Sequence, residues 1–306
     1  MEIIEEMRAH SEDLGNIAEL LQESWKTPKA PRQAHPIFVV GAPRSGTTLM
    51  TALLTSLPGA MRMIPEVSPL IPILDAYRKC LALDRRNDGA FFGGPDGVKR
   101  HFGDSIGSLI AKIQAKNGGD FAVLKAPLLS KYVDDLFSLL PGAQVICMVR
   151  HPVAVLRSMR GWGRKAAAAG RSHVYASAPN DELYALIKSY YSKPLSIRDP
   201  KIADRLLFVR FEDLVRKSVP VVENILALSG RPDADLDFGD PYRNSTIDYT
   251  STGASRDDSV TELFGRPVDP GRAEQALSYT DEEVAEANTH CSGILPYFYQ
   301  DWRGQD

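Results

Sequence analysis

Apolar and polar positions along this chain follow two alternating rhythms. Short apolar runs at Ile37-Phe38-Val39-Val40, Phe121-Ala122-Val123-Leu124, Gln144 to Arg150 and Leu206 to Phe211 read as buried strands. Ala60-Met61-Arg62-Met63-Ile64 reads as a further short strand, which makes five. Between the runs, apolar residues recur at helical spacing. Leu49, Met50, Leu53 and Leu54 form one such face, and residues 69 to 83 form another. Ile106, Leu109, Ile110 and Ile113 predict a third helix, and Val133 to Leu140 a fourth. Leu183, Leu186, Ile187, Tyr190 and Tyr191 follow an acidic start, and Ser218 to Gly230 has proline near its start and glycine at its end. Asn87 to Gly97, with Phe91-Phe92, reads as loop.

Strands and helices alternate from Ile37 to Gly230, so a mainly parallel five-stranded sheet covered by helices on both faces is expected. Outside that core, Leu14, Ile17, Leu20, Leu21 and Trp25 predict an N-terminal helix, followed by a proline-rich lead into the first strand. Thr280 and Glu283 form a capping box that opens a helix to about His290. No internal repeat divides the 306 residues, so one domain is expected: helix and linker over 1–35, α/β core over 36–230, and a C-terminal wrap over 231–306.

Composition narrows the functional classes. The net charge of −3 gives no global basic field, so nucleic acid is not an expected partner. Cys80, Cys147 and Cys291 are far apart, without metal-site spacing or a disulfide framework, which fits a reducing compartment. The acidic start, Met1-Glu2-Ile3-Ile4-Glu5-Glu6, carries no apolar targeting segment, and no stretch is long and apolar enough to span a bilayer.

The chemistry centres on Gly41-Ala42-Pro43-Arg44-Ser45-Gly46-Thr47-Thr48, between the first strand and the first helix. Strand, glycine-bearing loop and helix N-terminus together make a phosphate cradle. The spacing is that of the P-loop, G-x-x-x-x-G-K-[ST], but Thr47 stands where the lysine belongs. Ordinary nucleoside triphosphate chemistry thereby loses its main cation. Arg44, inside the loop, offers a permanent charge and a fork suited to oxyanions. Glu66, Lys125 and Arg150 all end or follow predicted strands, and parallel sheets bind ligands beyond the carboxyl ends of their strands.

Pro43-Arg44-Ser45-Gly46-Thr47-Thr48-Leu49 resembles the 5′-phosphosulfate loop of sulfotransferases that use PAPS (3′-phosphoadenosine 5′-phosphosulfate), in particular the tyrosylprotein sulfotransferases and bacterial sulfotransferases sharing a P-R-S-G-T-T loop. The resemblance implies a P-loop-type three-layer fold. It also implies PAPS as sulfuryl donor, PAP as product and no metal requirement. The family's 3′-phosphate motif has Arg and Ser at the separation of Arg150 and Ser158, eight residues apart. Arg150 has a local ion pair as its ordinary alternative, and Ser158 an ordinary helix serine. His151 reads as a turn residue. Relatives of this type that work in the Golgi carry an N-terminal membrane anchor, so a cytoplasmic, bacterial enzyme is expected.

Sulfuryl transfer needs alignment, charge stabilisation and a base. Glu66 is the candidate base, against a surface carboxylate; His101 is the second candidate. Lys125, in Lys125-Ala126-Pro127, is the candidate helper for charge on the oxygen between phosphorus and sulfur, against a solvated lysine. Several relatives have tyrosine where this chain has Phe211, and Arg256, Arg266 and Arg272 are alternative late contacts to the 3′-phosphate. The acceptor stays open between a small molecule, a glycan, a lipid, a carrier-bound intermediate and a tyrosyl peptide. Phe91, Phe92, Trp162 and Tyr175 are possible loop residues over the strand ends, and Arg160, Arg164, Lys165 and Arg171 possible cleft cations. Two other readings compete: an atypical P-loop kinase, and a nucleotide-binding module without activity.

Overall fold

The structure, a computed structural model, describes residues 35–199, 202, 204–246, 265–274 and 278–299. The predicted helix around Leu14 to Trp25, and Arg256, lie outside the described residues. In chain order the core elements are β1 (Ile37–Gly41), α1 (Thr47–Thr55), α2 (Leu70–Arg86), α3 (Pro95–Asn117), β2 (Val123–Lys125), α4 (Val133–Leu139), β3 (Gln144–Val149) and α5 (Pro152–Ala168). They continue as α6 (Val174–Ser177), α7 (Asn180–Ser189), α8 (Ser192–Ser196), β4 (Leu206–Arg210), α9 (Phe211–Val215) and α10 (Val219–Leu228). After these come α11 (Gly271–Glu274), α12 (Asp281–Cys291) and α13 (Leu295–Phe298).

The sheet has the order β2-β1-β3-β4, and every pairing is parallel. Period-two alternation sends its side chains to two separate cores. Phe38, Val40, Leu124, Val145, Cys147 and Val149 pack towards α2, α3, α4, α5 and α7. Ile37, Val39, Val123, Ile146, Met148 and Val209 pack towards α1, α9 and α10 through residues such as Leu53, Leu214 and Ile225. Helices on both faces of a parallel sheet make the three-layer α/β architecture. Among the described residues no helix is long and apolar enough to cross a membrane.

Among the described residues the sheet has four strands where five were expected. Residues 60 to 64 cannot run as a strand because their neighbours change within three residues. Ala60 bridges Phe121, the Arg62 N–H donates to the Asn117 carbonyl, and Met63 bridges Ser245. The segment thus ties the β2 lead-in to the chain near 245 and delivers Glu66 beside the loop. The stretch from Asn87 is loop only to Gly94, since Pro95 starts α3. Asp84 orders that loop: its buried carboxylate accepts N–H bonds from Phe91, Phe92 and Gly94 at 3.1, 3.0 and 2.9 Å. At α12 the capping box is present, with Thr280 and Glu283 each satisfying the other's backbone N–H.

Gly41 closes β1 with a φ of +133°, and a Cβ there would collide with the Met148 carbonyl oxygen of β3. Gly41→Ala is therefore expected to destabilise the fold by at least about 2 kcal/mol through backbone strain and overpacking. Urea denaturation of the two proteins checks this.

Candidate functional site

Besides Gly41, two residues of the loop have positive φ. Arg44 has a φ of 69° and Gly46 one of 98°. A Cβ at Gly46 would lie 2.5 Å from the Phe211 ring, so only glycine lets α9 approach the cradle this closely. No side chain caps α1, so its first N–H groups remain for a ligand, backed by the helix dipole. Ser45 is different. It is fully buried and its N–H donates to the Ala42 carbonyl at 3.1 Å, so it shapes the loop from behind. The Gly41 N–H donates to Ser130 Oγ at 2.8 Å, which anchors the loop's first residue.

β3 delivers Arg150 to the same place. Its Nη1 donates to the Arg44 carbonyl at 3.2 Å, and its guanidinium lies over the Phe211 ring at 4.4 Å. Burial lowers its pKa, opposed by the negative charge of Glu212, while the Arg44 guanidinium adds to the lowering. Its Nε is buried with no hydrogen-bond partner among the described residues. Ser158, on α5, accepts a 3.2 Å bond from Arg44 Nε, which leaves its own proton available to another group.

Arg44, Arg150 and Ser158 line one cavity of about 300 Å³, together with Phe211, Tyr242, Arg266 and Arg272. Both late arginines that lie among the described residues therefore face it, with Asp269 as a carboxylate on the same wall. A second cavity, of about 380 Å³, holds Pro43, Glu66 and Lys125. Arg44, Thr47 and Thr48 line both. There β2 presents a buried Lys125, whose Nζ donates to Glu66 Oε1 at 2.7 Å and to Thr48 Oγ1 at 3.4 Å. The Glu66 side chain is about half exposed to solvent.

The family profile of the sulfotransferases matches residues 36–235. The chain belongs to the sulfotransferase family. Solved structures agree on the fold. The sulfotransferase domain from the Synechococcus PCC 7002 olefin synthase is 22% identical, with a TM-score of 0.53 over 87% of this chain and 98% of that one. The sulfotransferase domain from the curacin biosynthetic pathway is 18% identical, with a TM-score of 0.53 over 86% and 99%. Sulfotransferase STF9 from Mycobacterium avium is 14% identical, with a TM-score of 0.51 over 94% and 85%. No curated protein sequence matches this sulfotransferase-family chain.

Other expected residues fall elsewhere. His101 sits on α3 against Phe92 and Phe102 and lines neither cavity; nor do Phe91 and Phe92. Trp162 and Tyr175 do line the second cavity, but from α5 and α6 rather than from loops. The four suggested cleft cations do not line it. Arg160 is spent on the carbonyls of Tyr175 and Ala178 and on Asn180 Oδ1, while Arg164, Lys165 and Arg171 are exposed. His173, beside Trp162, was missed by sequence reasoning.

His151 caps α5: its Nδ1 accepts from the Val153 N–H at 3.3 Å, and its ring stacks on Tyr279. Burial, with the Arg210 charge, pushes its pKa down to about 3. In the unfolded chain an imidazole titrates near 6.5, so the unfolded state binds the extra proton between those limits. The neutral ring's contribution to stability is full above pH 6.5 and is lost as pH falls towards 3. His151→Asn keeps a cap acceptor and is expected to remove about 1.4 kcal/mol per pH unit from the slope of stability in that window. Denaturation midpoints of both proteins at stepped pH give the comparison.

Proposed function

We propose that this chain transfers the sulfuryl group of PAPS to a hydroxyl acceptor by in-line displacement. The observation that carries the reading is the pair of cavities meeting at Arg44, Thr47 and Thr48, with basic and aromatic groups on one side and the Glu66–Lys125 pair on the other. A donor with two separated anionic groups suits the first cavity. The N–H groups opening α1, with Arg44, Thr47 and Thr48, would take the 5′-phosphosulfate. Arg150 and Ser158 would take the 3′-phosphate, and Arg150 has an unsatisfied Nε to offer. Arg266 and Arg272 are further candidates for that phosphate, and the Phe211 and Tyr242 rings offer surface to a planar base.

When bound, PAPS supplies a sulfuryl group joined to phosphate through a single oxygen. Glu66 accepts the proton of the acceptor hydroxyl as its oxygen bonds to sulfur. The bond from sulfur to the phosphate oxygen breaks, and PAP departs with the electron pair. Lys125 would face the charge that builds on that oxygen with its third N–H, while one holds Glu66 in place and one reaches Thr48 Oγ1. No step assigned to these residues calls for a metal ion. Three free cysteines support a cytoplasmic location.

Isothermal titration tests the donor. PAP is expected to bind without Mg²⁺, and clear preference for ATP–Mg²⁺ would point to a kinase instead. Arg150→Ala should weaken PAP binding by about 10- to 100-fold, the worth of a charge-assisted hydrogen bond. Glu66→Gln should lower kcat by about 10²- to 10⁴-fold while PAP affinity holds. Equal turnover by Glu66→Gln and the parent enzyme would remove the glutamate from the chemistry, whatever the donor.

A further inference from the structure

The second cavity has a lopsided chemistry. Its charged side chains are Arg44, Glu66 and Lys125, all gathered at the junction with the first cavity. The rest of its lining is Pro43, Met63, Ile64, Pro65 and Pro127, the rings of Trp162, His173 and Tyr175, and the two loop threonines. The aromatic side is built rather than incidental. His173 Nδ1 accepts from the Tyr175 N–H at 3.1 Å, and its ring lies edge-on to Trp162 and to Tyr175 at 4.1 and 4.4 Å between centroids. Arg160 pins the Tyr175 and Ala178 carbonyls at 3.1 and 2.6 Å, and Asn180, which it also holds, donates to Glu286 of α12 at 3.1 Å. The rings are therefore fixed before any ligand arrives.

The same wall is uncharged. Burial and the Arg171 charge lower the His173 pKa, and burial raises that of the Tyr175 phenol. Both stay neutral at ordinary pH. Val174, between them in the chain, is about half exposed. The cations that line this cavity are Arg44 and Lys125, both at the junction with the first cavity. Arg160 is already bonded to carbonyls, and Arg164, Lys165 and Arg171 lie outside the lining, so an acidic peptide seated in it meets no further cation. A sugar would leave most of its hydroxyls facing carbon, at the cost of their bonds to water. A molecule with one hydroxyl at the Glu66 end and carbon elsewhere meets neither penalty.

We propose that the acceptor is an uncharged hydroxyl compound with an aromatic or alkyl skeleton, seated between Ile64 and the Trp162–His173–Tyr175 wall. This rests on the sulfuryl-transfer reading above. A cavity of about 380 Å³ suits a compact small molecule. Trp162 and Ile64 are specificity residues here, acting by contact and exclusion of water.

The test pairs PAP titration with an acceptor panel assayed with labelled PAPS: 2-naphthol, 1-octanol, a disaccharide and an acidic tyrosyl peptide. The expected result is that kcat/KM for 2-naphthol or 1-octanol exceeds that for the disaccharide and the peptide by about tenfold or more. Trp162→Ala and Ile64→Ser should each raise KM for the preferred acceptor by about tenfold, with PAP affinity within about twofold of the parent. Retained PAP affinity also shows that the variants are folded. PAP binding with preference for the disaccharide or the peptide, with transfer to neither apolar acceptor, or with KM unmoved by both substitutions overturns the acceptor assignment alone. Failure of PAP to bind the parent enzyme overturns the donor reading, and the acceptor assignment with it.

Discussion

The site depends on holding two like charges close together. Arg44 and Arg150 share one cavity, and Arg150 donates to the carbonyl of Arg44 itself. Two guanidiniums repel, and the repulsion grows where water is thinned out. Arg150 has no ion pair with a carboxylate among the described residues. The fold tolerates it through a ring, a carbonyl and a distant counter-charge: Phe211 beneath the guanidinium, the loop backbone at its tip, and buried Glu212 below. Glu212 is itself fixed, accepting from the His151 N–H at 3.1 Å and the Tyr299 hydroxyl at 3.0 Å. An anion entering the cavity relieves the repulsion, so the arrangement stores affinity for negative charge.

That arrangement follows from the parallel sheet. β1, β2 and β3 run the same way, so the loop, Lys125 and Arg150 emerge at one edge. The register is specific: Val39 pairs with Lys125, and Gly41 with Met148, two residues before Arg150. A slip of one residue would send every side chain of a strand into the opposite core, among neighbours of the wrong size. The different packing of the two cores opposes it, and the positions of the charges are thus fixed by apolar residues outside the two cavities.

Much of this was legible in the sequence, for a physical reason. Buried strands, the cradle spacing and the capping box are local patterns, and local patterns survive in a linear reading. What failed was non-local. Residues 60 to 64 carry a strand-like composition, but their hydrogen-bond partners lie at Asn117, Phe121 and Asn244, and no nearby spacing encodes that change of neighbour. α5 runs through both Gly161 and Gly163. A Cβ at Gly163 would strike the Tyr175–Ala176 backbone, so this glycine exists to let α6 lie against α5. That close approach brings His173 beside Trp162, and only the folded chain reveals it. Arg160 shows the converse: a cation that reads as available is consumed by carbonyls of the next helix.

The missing loop lysine gives these pieces a common logic. A P-loop lysine would put its charge at the outer phosphates. Here Thr47 leaves that position neutral, and the cations come from outside it: Arg44 within the loop, Arg150 from β3 and Lys125 from β2. Charge is thereby gathered in the first cavity and at the junction, while the rest of the second cavity's lining is carbon, hydroxyls and rings. If the chain transfers a sulfuryl group as proposed, a cleft so divided would sort donor and acceptor by their chemistry before they react. An anionic molecule is drawn to one half, and only a group without charge loses little by entering the other.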